Sequence, residues 1–178
     1  MRNDLRAVFF GPVFRTFTSG PRLASGVKQE GLGPKTMLSL ALARRASILT
    51  VEDNPADLFL IRMVLAGYGL QVDLCHAADG ENAIQLLSGM EPPDLILLDL
   101  SLPRMNGMEV LKQLRMDERL AQVPIAILTS SDSAKDRGSA ERSGASKYVL
   151  KMNTFDEFRD AIWTSVNELL GRTLCTQA

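Results

Sequence analysis

At 178 residues, 46% hydrophobic and 23% charged, the chain has material for one ordinary core plus an extension. The formal net charge of −1 hides an asymmetry: residues 1–46 hold eight basic and two acidic side chains, leaving twelve against nineteen in the remainder, so the main body is a poor general binder of phosphate backbones. Cys75 and Cys175 lie far apart and outside any CxxC spacing, which argues against a disulfide framework or zinc site and fits a reducing, cytoplasmic setting.

Residues 1–46 scatter Gly, Pro and Ser without a sustained period, although Ala7–Phe10 is locally apolar. Their acid-poor composition is shared by transit peptides, but Met37–Ala43 is too short for a secretory signal and is followed, not preceded, by Arg44-Arg45. No apolar run approaches the ~20 residues needed to span a bilayer. The segment reads as disordered padding or as the product of a start placed too early, with Met37 the alternative start.

From residue 47 the pattern changes to apolar strands alternating with amphipathic helices, the signature of βαβ units and a parallel sheet. Strands are expected at 47–51, 70–75, 94–98, 124–128 and 147–150, and helices at 55–66, 80–88, 107–116, 133–143 and 154–170, leaving 171–178 as a tail. Asn54-Pro55 opens the first helix, with proline where a missing N–H is harmless, and Asp79-Gly80 and Asn106-Gly107 precede the next two. The fourth, Ser133–Ser143, is mostly polar and carries Gly138, so it has low local stability. Asn153-Thr154 caps the fifth, whose apolar stripe is Phe155, Phe158, Ile162, Val166, Leu169 and Leu170, with Trp163 off the stripe as a candidate contact.

Four strands deliver a polar residue at the carboxyl end: Glu52-Asp53, Asp99, Thr129 and Lys151. Each alone is ordinary; an Asp after a strand is usually a cap, Thr129 is turn chemistry and Lys151 a surface lysine. Together they fall at the sheet edge where ligands bind in parallel α/β proteins. Three carboxylates crowded there stay ionised only beside a cation, and hard oxygen ligands next to a phosphoryl site describe Mg2+. Asp99 would be the nucleophile forming an acyl phosphate, with Thr129 and Lys151 binding phosphoryl oxygens.

These residues resemble the receiver domain of two-component response regulators over residues 47–170. The acidic pair matches Glu52-Asp53, the phosphoacceptor Asp99, the switch hydroxyl Thr129, the switch aromatic Tyr148 and the site lysine Lys151, while Asp99–Gly107 is similar to the family's D-x-x-[LM]-P-x-x-[DN]-G segment. The resemblance implies a flavodoxin-like doubly wound (βα)5 fold with strand order 2-1-3-4-5. It also implies phosphotransfer from a histidine kinase, and Mg2+ bound by Asp53, Asp99 and the main-chain carbonyl of Ser101, with Glu52 acting through water. Output would pass through the fourth helix, fifth strand and fifth helix to a homodimer or effector. Tyr148 would turn inward as Thr129 moves, and Trp163, Leu169 and Leu170 are candidate contacts. Lys151 is followed by Met152 where receivers usually have proline, so a trans bond is expected. With Glu52–Asp57, that departure is similar to the stand-alone receivers associated with bacterial phytochrome kinases.

Two other classes fit less well. A hydrolase of the haloacid-dehalogenase type needs a D-x-D nucleophile, but position 101 is serine and the first strand carries the acidic pair instead. A DNA-binding regulator needs a helix-turn-helix or winged segment, for which the pattern leaves no room. The expectation is therefore a signalling phosphoacceptor, not an enzyme in its own right, without direct contact to nucleic acid or membrane. His76 reads as a half-buried structural histidine, and the scattered methionines as core filler.

Overall fold

The computed structural model describes residues 45–67, 72–152 and 154–176, with side chains through Gly171. The expectations for residues 1–44, and the share of Asn153 in the last cap, lie outside the described residues. Five strands are present: β1 (Ala46–Val51), β2 (Val72–Ala77), β3 (Leu95–Asp99), β4 (Ile125–Thr129) and β5 (Lys147–Leu150). The helices are α1 (Pro55–Gly67), α2 (Gly80–Gly89), α3 (Gly107–Arg115), α4 (Ala134–Arg142) and α5 (Phe155–Thr176), with a 3-10 turn at Glu118–Leu120 before β4.

All strand pairs are parallel, and the sheet order is β2-β1-β3-β4-β5, as the resemblance implied. Period-two alternation divides the strand side chains between two cores. Ile48, Leu95, Leu97, Ala126, Leu128 and Val149 face α1 and α5. Leu49, Val51, Ile96, Leu98, Ile125 and Ile127 face α2, α3 and α4. The central strands β3 and β4 are buried throughout, hence their unbroken apolar runs.

Local chemistry stops and starts the helices. Asp79 caps α2 through the Asn82 amide, and Asn106 and Glu109 form a reciprocal capping box on α3. Ser133 caps α4 through the Asp136 amide, and Thr154 caps α5 through the Glu157 amide. Several boundaries differ from the sequence reading. β2 ends at Ala77, beyond the expected 75, because it pairs with β1 as far as Val51↔Ala77. α5 continues past 170 to Thr176. Phe155 leaves the stripe assigned to it and is 43% exposed.

Reversal of winding direction between β1 and β3 leaves a crevice at their carboxyl ends, the usual ligand position in such sheets. Glu52-Asp53 and Asp99 lie there by topology alone.

Candidate functional site

Backbone pairing carries the site residues past the ends of the strands. The Glu52 amide donates to the Ala77 carbonyl at 3.0 Å, and the Lys151 amide donates to the Thr129 carbonyl at 2.7 Å, each continuing a ladder beyond its last strand residue. After Asp99 the chain folds back tightly, the Gly107 amide donating to the Leu100 carbonyl at 3.1 Å. A Cβ at position 107 would lie 2.1 Å from the Asp99 carbonyl oxygen, so only glycine permits this approach. Arg104 within the loop has φ 65°, a left-handed conformation uncommon for a residue with a side chain, and its guanidinium pairs with the buried Asp79 carboxylate. That ion pair ties the loop after β3 to the start of α2; Asp79 was legible only as the opening of α2, and Arg104 did not stand out in the sequence.

The side chains converge on one ammonium. Lys151 Nζ lies 2.8 Å from Glu52 Oε2, 2.8 Å from Asp57 Oδ2 and 2.6 Å from Asp99 Oδ2, so its three donors meet three carboxylates. Burial would lower the Lys151 pKa, but hydrogen bonds to Asp57, Asp99 and Glu52 outweigh it and hold the ammonium charged well above the usual lysine range. Burial pushes the Glu52 carboxyl up to about 7, against the lowering effect of Lys151 and the amide of Asn54, which donates to Oε1 at 3.1 Å. Asp99 Oδ1 accepts from the Ser101 amide at 2.9 Å.

Glu52, Asp53 and Asp99 each offer an oxygen, and the three lie within 4.8 Å of one another. Glu52 and Asp99 are buried while Asp53 is exposed, so the cluster has an open side. Hard anionic oxygens so close, one of them driven toward its neutral form, are the donor set that a divalent oxygen-seeking cation fits.

Thr129 is buried at the end of β4, and its hydroxyl oxygen accepts from the Ser131 amide at 3.1 Å, leaving its proton to donate. Tyr148 is also buried; its hydroxyl donates to the Ser131 carbonyl at 2.9 Å, and the Arg137 guanidinium lies 4.6 Å from the ring centroid. Ser131 therefore touches both residues read as a switch. No cis peptide occurs among the described residues, in keeping with the expected trans bond before Met152. His76 lies half-buried with its ring nitrogen 2.8 Å from the Glu52 carbonyl oxygen, a structural contact.

The interface trio requires correction. Leu169 and Leu170 are 2% and 3% exposed and belong to the core beneath α1 and α5, so they present no surface to a partner. Trp163 is half-buried and packs against the same core, leaving only part of its ring for contact. Asp57 is the site residue that sequence reasoning passed over. In the first turn of α1 it reads as a favourable dipole partner, and nothing in its spacing announces a bond to a lysine 94 positions away.

A profile described as the response regulator receiver domain matches residues 48–163. The chain belongs to the receiver-domain family of two-component response regulators. It is 38% identical over 128 residues to the DNA-binding dual master transcriptional regulator RpaA of Synechocystis, a match covering 71% of this chain and 49% of RpaA. It is 32% identical over 106 residues to protein PilH of Pseudomonas aeruginosa, covering 60% of this chain and 85% of PilH. The chain thus spans about half the length of the first relative and most of the second. The phosphorylated cyanobacterial phytochrome response regulator RcpA superposes with a TM-score of 0.68 at 28% identity, covering 72% of this chain and 96% of RcpA. The Mn2+-bound form of the response regulator Rcp1 superposes at 0.66 and 28% identity, covering 70% and 94%. Receiver domains are signalling modules that bind a divalent metal, and no helix among the described residues is long and apolar enough to cross a membrane.

Proposed function

We propose that the chain accepts a phosphoryl group on Asp99 from a sensor histidine kinase, with Mg2+ held by Asp53, Asp99 and the Ser101 carbonyl and reached by Glu52 through water. The observation that carries this reading is the approach of Lys151 to 2.6 Å from Asp99 beside a three-carboxylate cluster within 4.8 Å. An Asp99 oxygen bonds to phosphorus as the P–N bond of the phosphohistidine breaks, its electron pair returning to the imidazole. The cation would spread charge over the phosphoryl oxygens. Lys151 supplies a point charge for one oxygen and the Thr129 hydroxyl donates to another.

Output follows from Ser131. A Thr129 hydroxyl drawn to a phosphoryl oxygen loosens its bond to the Ser131 amide, and the Ser131 carbonyl holds Tyr148. The surface of α4, β5 and α5, beneath which Tyr148 is buried and to which part of Trp163 contributes, would thereby pass the change to a second copy of the chain or an effector. Direct binding to nucleic acid or membrane forms no part of this reading, and the setting is cytoplasmic. The receiver unit runs from β1 at Ala46 to the end of α5 at Thr176, wider than the expected 47–170, and the extension before it carries none of the named site groups. Exposed Phe59 in α1 and Phe155 at the start of α5 flank the carboxyl-end edge and fit a kinase surface.

Incubation with acetyl phosphate, or with a panel of phosphorylated histidine kinases, tests the assignment. Wild type should acquire an acid-labile phosphoryl group that requires Mg2+, and Asp99→Asn should acquire none while keeping its fold. Labelling of Asp99→Asn at the wild-type rate would refute the assignment.

A further inference from the structure

Lys151 has three carboxylate partners, and they are not equivalent. Glu52 and Asp99 also belong to the cluster whose oxygens lie within 4.8 Å of one another, whereas Asp57 does not. A cation held by Asp53 and Asp99, with Glu52 reaching it through water, would draw on both of the carboxylates that Lys151 contacts at 2.8 Å (Glu52) and 2.6 Å (Asp99). Asp57, at 2.8 Å, is the one of the three left to the ammonium alone. It is also the most exposed, at 23% against 1% and 4% for the side chains of Glu52 and Asp99.

The need for such an anchor is built into this chain. Lysine carries its charge on a flexible four-carbon stem, and holding it in one place costs rotamer entropy. Met152, which follows it, is 44% exposed and brings no ring to restrict the backbone. Asp57 sits where a helix can fix it: Pro55 and Asn54 set the first turn of α1, the Asn54 side chain accepting from the Ala56 amide at 3.0 Å.

We propose that Asp57 is a positioning residue that holds the Lys151 ammonium over the site once a divalent cation engages Asp99 directly and Glu52 through water. This rests on the phosphoacceptor reading and adds to it a residue that touches neither cation nor phosphoryl group. Asp57 acts through Lys151. Its influence therefore differs between the cation-free and cation-loaded protein, which an ordinary stabilising ion pair would not produce.

Side-chain ammonium NMR on the full chain separates the possibilities, using Asp57→Asn and the charge-conserving Asp57→Glu, with amide spectra to establish folding. In wild type the Lys151 ammonium resonance should be sharp and slow to exchange both with and without Mg2+. In Asp57→Asn it should persist without Mg2+, where Glu52 and Asp99 hold it, and broaden or vanish at saturating Mg2+; Asp57→Glu should restore part of it. Calorimetric titration with Mg2+ should show a loss for Asp57→Asn smaller than that for Asp53→Asn, which removes the charge of a direct ligand. Acetyl phosphate labelling at saturating Mg2+ should slow in Asp57→Asn with little change in the Mg2+ midpoint.

A Lys151 signal unchanged by Asp57→Asn at saturating Mg2+ overturns the proposal. So does a Mg2+ loss equal to that of Asp53→Asn, which would make Asp57 a ligand. Wild type that takes up no Mg2+ and no phosphoryl group refutes the phosphoacceptor reading itself, and this inference with it. Normal wild-type behaviour with an inert Asp57 refutes the inference alone.

Discussion

Glu52 is charged at a cost that can be measured. Burial pushes its carboxyl from an ordinary value of 4.5 up to about 7, so over that interval the folded chain holds a proton that the unfolded chain has lost. Stability from this group is complete below the lower value and drains away as pH rises through about 7. In EDTA, the urea midpoint of wild type should fall across that window more steeply than that of Glu52→Gln, and saturating Mg2+ should flatten the difference by favouring the charged form. A Glu52→Gln profile parallel to wild type would show that Glu52 is not strained. A second residue test concerns Thr50, whose fully buried hydroxyl has no hydrogen-bond partner among the described residues. Thr50→Val keeps the shape and removes the polar atom, so it should stabilise by about 1 kcal/mol or more, read from the same denaturant curves.

The helices differ in how firmly they are fixed. α4 buries only Ala140 and carries Gly138 in its interior, whereas α5 buries Phe158, Ile162, Val166, Leu169 and Leu170. Gly138→Ala should stabilise by about 0.5–1 kcal/mol, since the nearest atom to the new Cβ, at 3.2 Å, is the movable guanidinium end of Arg142. Ile162→Ala should cost about 2–5 kcal/mol, because Ile162 is fully enclosed in the core. Amide exchange should open α4 well before α5; equal protection would contradict this ordering. The weakness of α4 was legible because composition alone governs a helix with one buried side chain. The five strands and their carboxyl-end residues were legible because a buried parallel strand reads as an apolar run and its polar terminus stands out. The fate of α5 was only half legible. A stripe at helical spacing shows which face is apolar but not where along it the sheet ends, so Phe155 was counted in the core and Leu169 and Leu170 were offered to a partner. Asp57 and Arg104 could not be read, since their meaning lies in contacts to Lys151 and Asp79, distant in sequence.

At the scale of the whole molecule, one sheet separates two cores and gathers the site groups at a single edge, from Glu52 just past β1 across to Lys151 just past β5. A chain lacking residues 1–44 should therefore bind Mg2+ and accept phosphoryl groups as the full chain does. Sedimentation with and without beryllofluoride, a phosphoryl mimic, should show association through the α4, β5 and α5 face; a monomer in both states with unchanged amide exchange over residues 133–170 would exclude that face as the output. All of this depends on where the phosphoryl group goes. The most direct measurement is borohydride reduction of the phosphorylated chain followed by peptide mass mapping. An acyl phosphate at Asp99 should be converted to homoserine at that position alone, in a Mg2+-dependent manner. Reduction at another carboxylate, or none despite full labelling, would contradict the account.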